Sequence, residues 1–220
     1  LLKFHATHYH PSSACFVLYG NIPTLRFLDF LAPRLAPYTR APRTPLPERQ
    51  PRWSEPRLHR ESYPTAPGEP VEEKTYLLMS WLAGDNRDPV DAAAMRILSL
   101  LLLGHEAAPL HRTLIDSHIG TNLVMSGNSD IGSESSFHVG LEGAEPERLD
   151  TFRQLVLDTL RKAAGTPFSD EQIQTAFQQA AYETLEIAPM FPLHTVFRVV
   201  AAWMSDLDPL TYLRDASHYQ

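Results

Sequence analysis

A single cysteine, Cys15, stands among 220 residues. That excludes an internal disulfide and a four-cysteine zinc site. Cysteine poverty fits a reducing cytoplasm, the compartment expected if the source is bacterial. Basic residues are also scarce, with 19 Lys and Arg against 26 Asp and Glu and a formal net charge of -7. Phosphate recognition needs a basic stripe, so no nucleic-acid partner is expected. A polybasic membrane patch is missing too. The longest apolar stretch, Ile97 to Leu103, is too short to span a bilayer. The opening Leu-Leu-Lys-Phe-His lacks the charged region and long apolar core of a signal peptide. With no initiator Met, the chain is expected to begin inside something longer. The sequence contains no G-x-S-x-G elbow, no P-loop, no G-x-G-x-x-G and no inverted zinc motif H-x-x-E-H.

What remains is ordinary globular material. Hydrophobic residues make up 43% of the chain and charged residues 20%, enough to bury a sizeable core. The run Ala14 to Tyr19 reads as a buried strand, and Pro23 opens a helical pattern through Leu25, Phe27, Leu28, Leu31 and Leu35. Nine prolines between residues 37 and 70 forbid a regular helix there and predict a long connection. One short strand is expected within it, around Arg57 to Tyr63. Residues 75–83 read as a strand, and Asp88-Pro89 starts a helix that Gly104 stops. A shorter helix follows from Pro109 to Ser117. Strands are expected at Asn122 to Ser126 and Ser135 to Leu141, with turn chemistry (GNSDIGSE) between them. Three helices are predicted after that: Pro146 to Ala164, Ser169 to Leu185, and about Pro192 to Ser205. Ser169 and Gln172 have the spacing of a capping box. Together these elements predict an α+β fold, a largely antiparallel sheet with helices packed on one face. Leu98, Leu101 and Leu102, with Trp81 and Phe137, are expected in its core.

Candidate chemistry is thin. His5, His8 and His10 form the densest imidazole cluster. In a strand His8 and His10 would share a face, but a catalytic zinc wants a third protein ligand. Backbone hydrogen bonding is therefore the preferred reading. His105-Glu106 begins like H-E-x-x-H, but position 109 is Pro and the next histidine is His111. His111 and His118 read as surface or capping residues, and Cys15 as core. Glu183 and Glu186 lie one turn apart on a helix and read as a solvated face. No nucleophile, base and orienting group assemble from these residues.

Several stretches in order do resemble one family. "FHATHYHPSSACFVLYGNI" at 4–22, "SWLAGD" at 80–85, "ILSLLLLGHEAAPLHRTLIDSHIG" at 97–120, "FHVGLEG" at 137–143 and "WMSDLDPLTYL" at 203–213 are similar to the pitrilysin/insulinase-type zinc metallopeptidases. The presequence-protease subfamily is the nearest match. The resemblance implies a parent of four homologous α+β domains around a closed chamber, with zinc held in the first by the inverted motif and a downstream Glu. This chain lacks that motif, so it resembles the second, inactive domain. By the same resemblance, His10 belongs to the lead-in to a strand and His5 has a counterpart, while His8 stands where the family often has Tyr. The implied layout has three parts. Residues 1–36 resemble the tail of the preceding catalytic domain, 37–70 form a proline-rich connection, and 71–220 form the inactive domain. The implied role is non-catalytic, building the chamber and supporting the catalytic domain of a peptide-degrading zinc enzyme. Its site residues are none: no catalytic, cofactor or metal residue, with zinc in the parent's first domain only. Its partners would be the other domains and the parent's peptide substrate. The alternative is a catalytically dead assembly protein of the same fold. If the strand that closes the inactive domain's own sheet comes after Gln220, Ala14 to Tyr19 is expected to fill the vacant edge, in its own chain or a neighbour's. Self-association through that edge is expected if it stays open.

Overall fold

The computed structural model describes residues 1–42, 49–129, 132–187, 189–204 and 207–208. They fall into two compact units. One holds the described residues up to Arg49 together with those from Ile187 onward. The other holds the described residues from Gln50 to Glu186.

The second unit is organised by two long antiparallel strands, β1 (Thr75–Asp85) and β4 (Glu134–Ala144). Trp81 faces Phe137 and Met79 faces Val139 across the ladder. Successive side chains alternate in direction, so Leu77, Met79 and Trp81 join Phe137, Val139 and Leu141 on one face, the inner one. Two short strands, β2 (Asn122–Leu123) and β3 (Gly127–Ser129), pair with the other edge of β4. The sheet order is β1-β4-β2, with β3 beside β2 on the same neighbour. A side chain at Gly140 would run into the carbonyl of Val124, so glycine there lets the short edge come close.

Helices cover the inner face. In α3 (Pro89–Leu103), the Asp88 side chain accepts from the Val90 N–H at 2.9 Å, and Gly104 is the C-cap. α4 (Pro109–Asp116) and α5 (Leu149–Gly165) bring Leu110, Leu114, Phe152 and Val156 against the sheet's inner side chains. α6 (Asp170–Leu185) begins in a complete capping box. Ser169 Oγ accepts from the Gln172 N–H, and the Gln172 side chain accepts from the Ser169 N–H. Its Ala176 and Ala180 pack with Ile97 in a smaller cluster. The expected α+β class, antiparallel sheet and one-sided helical layer all hold. The first unit consists of α1 (Leu2–His8), α2 (Thr24–Leu35) and α7 (Phe191–Met204). No residue of α1 or α2 is buried, and in α7 only Ala202 is. The expected helix end at Ser205 lies outside the described residues.

Several expectations need correcting. Ala14 to Tyr19 is not a strand. It is irregular backbone, and Phe16, Val17, Leu18 and Tyr19 are exposed. Apolar composition favours a strand only where a neighbouring strand supplies hydrogen bonds; among the described residues none does. The free edge of β1 is correspondingly unfilled among the described residues. Arg57 to Tyr63 is likewise unpaired and exposed. The strand expected at 122–126 stops at Leu123, and three residues of the expected turn, Gly127 to Ser129, pair as β3 instead. Leu98 is 39% exposed while Leu102 is 2% exposed, so α3 turns the latter inward. Leu101 is half-buried against the smaller cluster and Trp81 is packed at the margin of the main core.

The two leucines should separate cleanly in denaturant unfolding. Leu102→Ala is expected to cost about 2–5 kcal/mol, from lost burial plus a residual cavity. Leu98→Ala should stay within about 0.5 kcal/mol, as exposed substitutions do. Equal costs would contradict the orientation of α3.

Candidate functional site

The histidine cluster is not a strand pair. His5 and His8 lie on α1, where the His5 ring stacks on Tyr9 with centroids 4.7 Å apart and His8 tilts against Phe4 at 4.4 Å. His10 instead caps the 3₁₀ turn of Pro11–Ser13. Its Nδ1 accepts from the Ser12 N–H at 3.1 Å, and its ring meets Tyr38 edge-on at 5.7 Å. The Ser12 hydroxyl in turn accepts from the Ala41 N–H at 2.9 Å. Together with Leu35, Thr39, Arg40 and Pro42, these residues line an open cleft of about 560 Å³. The three imidazoles therefore work locally, two as ring partners and one as a cap.

The other candidates are dispersed as well. His105 and Glu106 are exposed in the turn after α3. His111 lies on α4 with a buried Nδ1 that has no hydrogen-bond partner. His118 is exposed at φ 51° in the turn after α4. Cys15 is half-buried. Glu183 pairs with Arg96 at 3.1 Å and accepts from Gln179, while Glu186 caps the end of α6 in the open. Arg96 also reaches Thr184, so this group clamps α3 to α6. Among the described residues no three His, Cys, Asp or Glu side chains converge as a metal site would require. The donor set does not fit a catalytic zinc, because the inverted motif is missing from the sequence itself.

One polar constellation escaped the sequence reading. His138 lies on the outer face of β4. Its Nδ1 is 2.8 Å from Ser80 Oγ across the ladder, and its Nε2 is 2.8 Å from Ser136 Oγ on its own strand. Only the β1–β4 register brings Ser80 and His138 together, and no motif spacing encodes that register. The ring is satisfied at both nitrogens, as a polar sheet face requires.

Among the described residues, the carboxylate and amine with clearly shifted pKa values lie at the approach to β1. Lys74 Nζ donates to Glu69 Oε1 at 2.7 Å. That bond, with the Ala66 N–H and the ammonium charge, lowers the Glu69 pKa, and it raises that of Lys74. A lowered carboxylate stabilises the fold above its ordinary titration range, and the contribution is lost as pH falls through the folded value. Lys74→Met should return Glu69 toward the ordinary carboxylate value in an NMR titration, and an unmoved Glu69 would mean that the pair does not form. At the α3–α6 clamp, Arg96→Met should cost no more than about 1 kcal/mol in thermal melts, because Glu183 keeps access to solvent.

Comparison with known proteins gives one consistent result. The family model described as the peptidase M16 inactive domain matches residues 1–180. The mitochondrial presequence protease of Danio rerio is 30% identical over 219 residues, covering 97% of this chain and 21% of that protein. The Mus musculus presequence protease is also 30% identical, over 220 residues, with 99% and 21% covered. Protein HypA of Clostridium perfringens is 28% identical over 217 residues, with 96% and 22% covered. The chain thus spans about a fifth of the length of these relatives. A solved inactive peptidase domain from Bordetella parapertussis aligns with a TM-score of 0.52 at 14% identity. It covers 66% of this chain and 76% of that one, a likeness of fold.

Proposed function

The chain belongs to the peptidase M16 inactive-domain family, and on that premise we propose that it serves as the non-catalytic domain of a larger zinc metalloendopeptidase that degrades peptides. In this reading it forms part of the substrate chamber and supports the catalytic domain. The zinc, the water it activates and the Glu that acts as general base all belong to another domain. No residue of this chain is catalytic or binds metal. Residues 1–36 belong with the preceding catalytic domain, 37–70 connect, and 71–220 make the inactive domain. Its partners are the other domains of the same polypeptide, and through them the peptide substrate. Where they are absent, the free edge of β1 is a template for self-association.

The observation that carries this reading is the family match over residues 1–180 in a sequence without H-x-x-E-H. Surface chemistry supports it. The helices of the first unit leave large apolar side chains open. Leu25, Leu28 and Phe30 on α2, and Phe197 and Trp203 on α7, are all more than half exposed. In this reading neighbouring domains cover these side chains.

The isolated chain should retain no stoichiometric zinc after dialysis and cleave no fluorogenic peptide. Zinc at one equivalent with chelator-sensitive cleavage would overturn the reading. The coding sequence upstream of Leu1 should carry H-x-x-E-H within about two hundred residues, one domain's length. A stand-alone assembly protein would lack it.

A further inference from the structure

The segment before β1 is tied to the sheet at both ends. At its start the Gln50 N–H donates to Glu134 Oε2 at 3.2 Å and Arg52 pairs with Glu134 Oε1 at 2.9 Å. The Glu134 side chain is 12% exposed and that of Arg52 57% exposed, so the anchor is sheltered on the sheet side only. At the far end the Tyr63 hydroxyl donates to the Lys74 carbonyl, and its ring meets Tyr76 edge-on at 5.8 Å. Glu134 sits opposite Asp85 at one end of the β1–β4 ladder, and Tyr76 lies at the other. The segment therefore runs back along the whole length of β1, antiparallel to it.

The lengths agree. Ten steps of β1 cover about 34 Å, and the eleven steps from Arg52 to Tyr63 reach about 36–40 Å when fully extended. An extended chain spans both ties, and Pro51, Pro56 and Pro64 favour that conformation. Yet every residue from 51 to 63 is exposed, Trp53 and Leu58 among them. The outward face of β1 presents Tyr76, Leu78 and Leu82, each 41–50% exposed. The segment and the outward face of β1 thus both carry uncovered apolar side chains, and part of the entropic cost of bringing them together has already been met by the ties.

We propose that residues 52–63 are a strap that closes onto the outward face of the sheet, with the Arg52–Glu134 pair and Tyr63 as its fixed ends. Counting inward from those ends sets Leu58 over Ser80, between Leu78 and Leu82. Trp53 then lies toward Leu82, at the Glu134 end. Closure shelters the Ser80–His138–Ser136 hydrogen-bonded row from water. Pairing with the β1 edge is not required, because the contacts are made by side chains.

The test uses the whole 220-residue chain with Cys15→Ser, so that introduced cysteines are the only thiols. Leu58→Cys with Leu78→Cys should form an intrachain disulfide under mild oxidation, scored by peptide mapping. The control pair is Leu58→Cys with Leu98→Cys, whose second cysteine lies on α3 behind the sheet. The first pair should cross-link severalfold faster than the control. Adding Arg52→Gln, a change at an exposed side chain that leaves the core untouched, should slow the first pair severalfold and speed tryptic cleavage after Arg57 and Arg60. Equal cross-linking rates for the two pairs would overturn the strap. So would an Arg52→Gln variant that alters neither cross-linking nor cleavage.

Discussion

The register of β1 against β4 is the constraint on which the second unit depends. It places Leu77, Met79, Trp81, Phe137, Val139 and Leu141 on one face, and that face is what α3, α4 and α5 cover. Slipping the pairing by one residue would turn the whole set outward and bring Ser80, Ser136 and His138 in. The penalty is steep on both counts, because apolar burial is lost and polar groups are desolvated without matched partners. The same register creates the outer face, including the His138 row and the anchor at Glu134. Both sides of the sheet follow from one set of backbone hydrogen bonds.

The parts of this fold that were legible in the sequence are those with local causes. Asp88 before Pro89, the Ser169–Gln172 box and the alternation of Phe137, Val139 and Leu141 each act within a few residues, and each appears where expected. Ala14–Tyr19 and Arg57–Tyr63 failed for the opposite reason. A strand is completed by its neighbour, and β propensity records fitness for a pleated surface that must be supplied from elsewhere. The orientation of α3 was illegible in a different way. In a run as uniformly apolar as ILSLLLL the periodic signal vanishes, so nothing local distinguishes Leu98 from Leu102. Packing decides, and it chose the latter.

The candidate site shows the same division. The spacing of His105 and His111 argued against a zinc helix; the structure sets His105 in the turn after α3 and His111 on α4. The role of His10 as a cap was within reach of sequence reasoning, since a side-chain acceptor just before Pro11 suits a helical first turn. Ser80 and His138 were not within reach, being 58 residues apart and joined only through the ladder. The resemblance to M16 peptidases rests on five ordered stretches rather than on any reactive group, which is what an inactive member of a catalytic family offers to a reader of its sequence.

The two units differ in how they satisfy the hydrophobic effect. From Gln50 to Glu186 the chain closes a core of its own, with Leu110, Leu114, Val139, Leu141, Phe152 and Val156 at zero exposure. In the first unit α2 is amphipathic in sequence, with Phe27, Leu31 and Leu35 only half sheltered and Leu25, Leu28 and Phe30 in the open. A helix with that much uncovered apolar surface contributes little stability by itself, because most helical stability comes from packing the apolar face. The asymmetry sets an order of dependence. The sheet unit closes its own core, so on the proposed reading loss of a neighbouring domain would be felt first around α2 and α7. The β1–β4 core would be affected last.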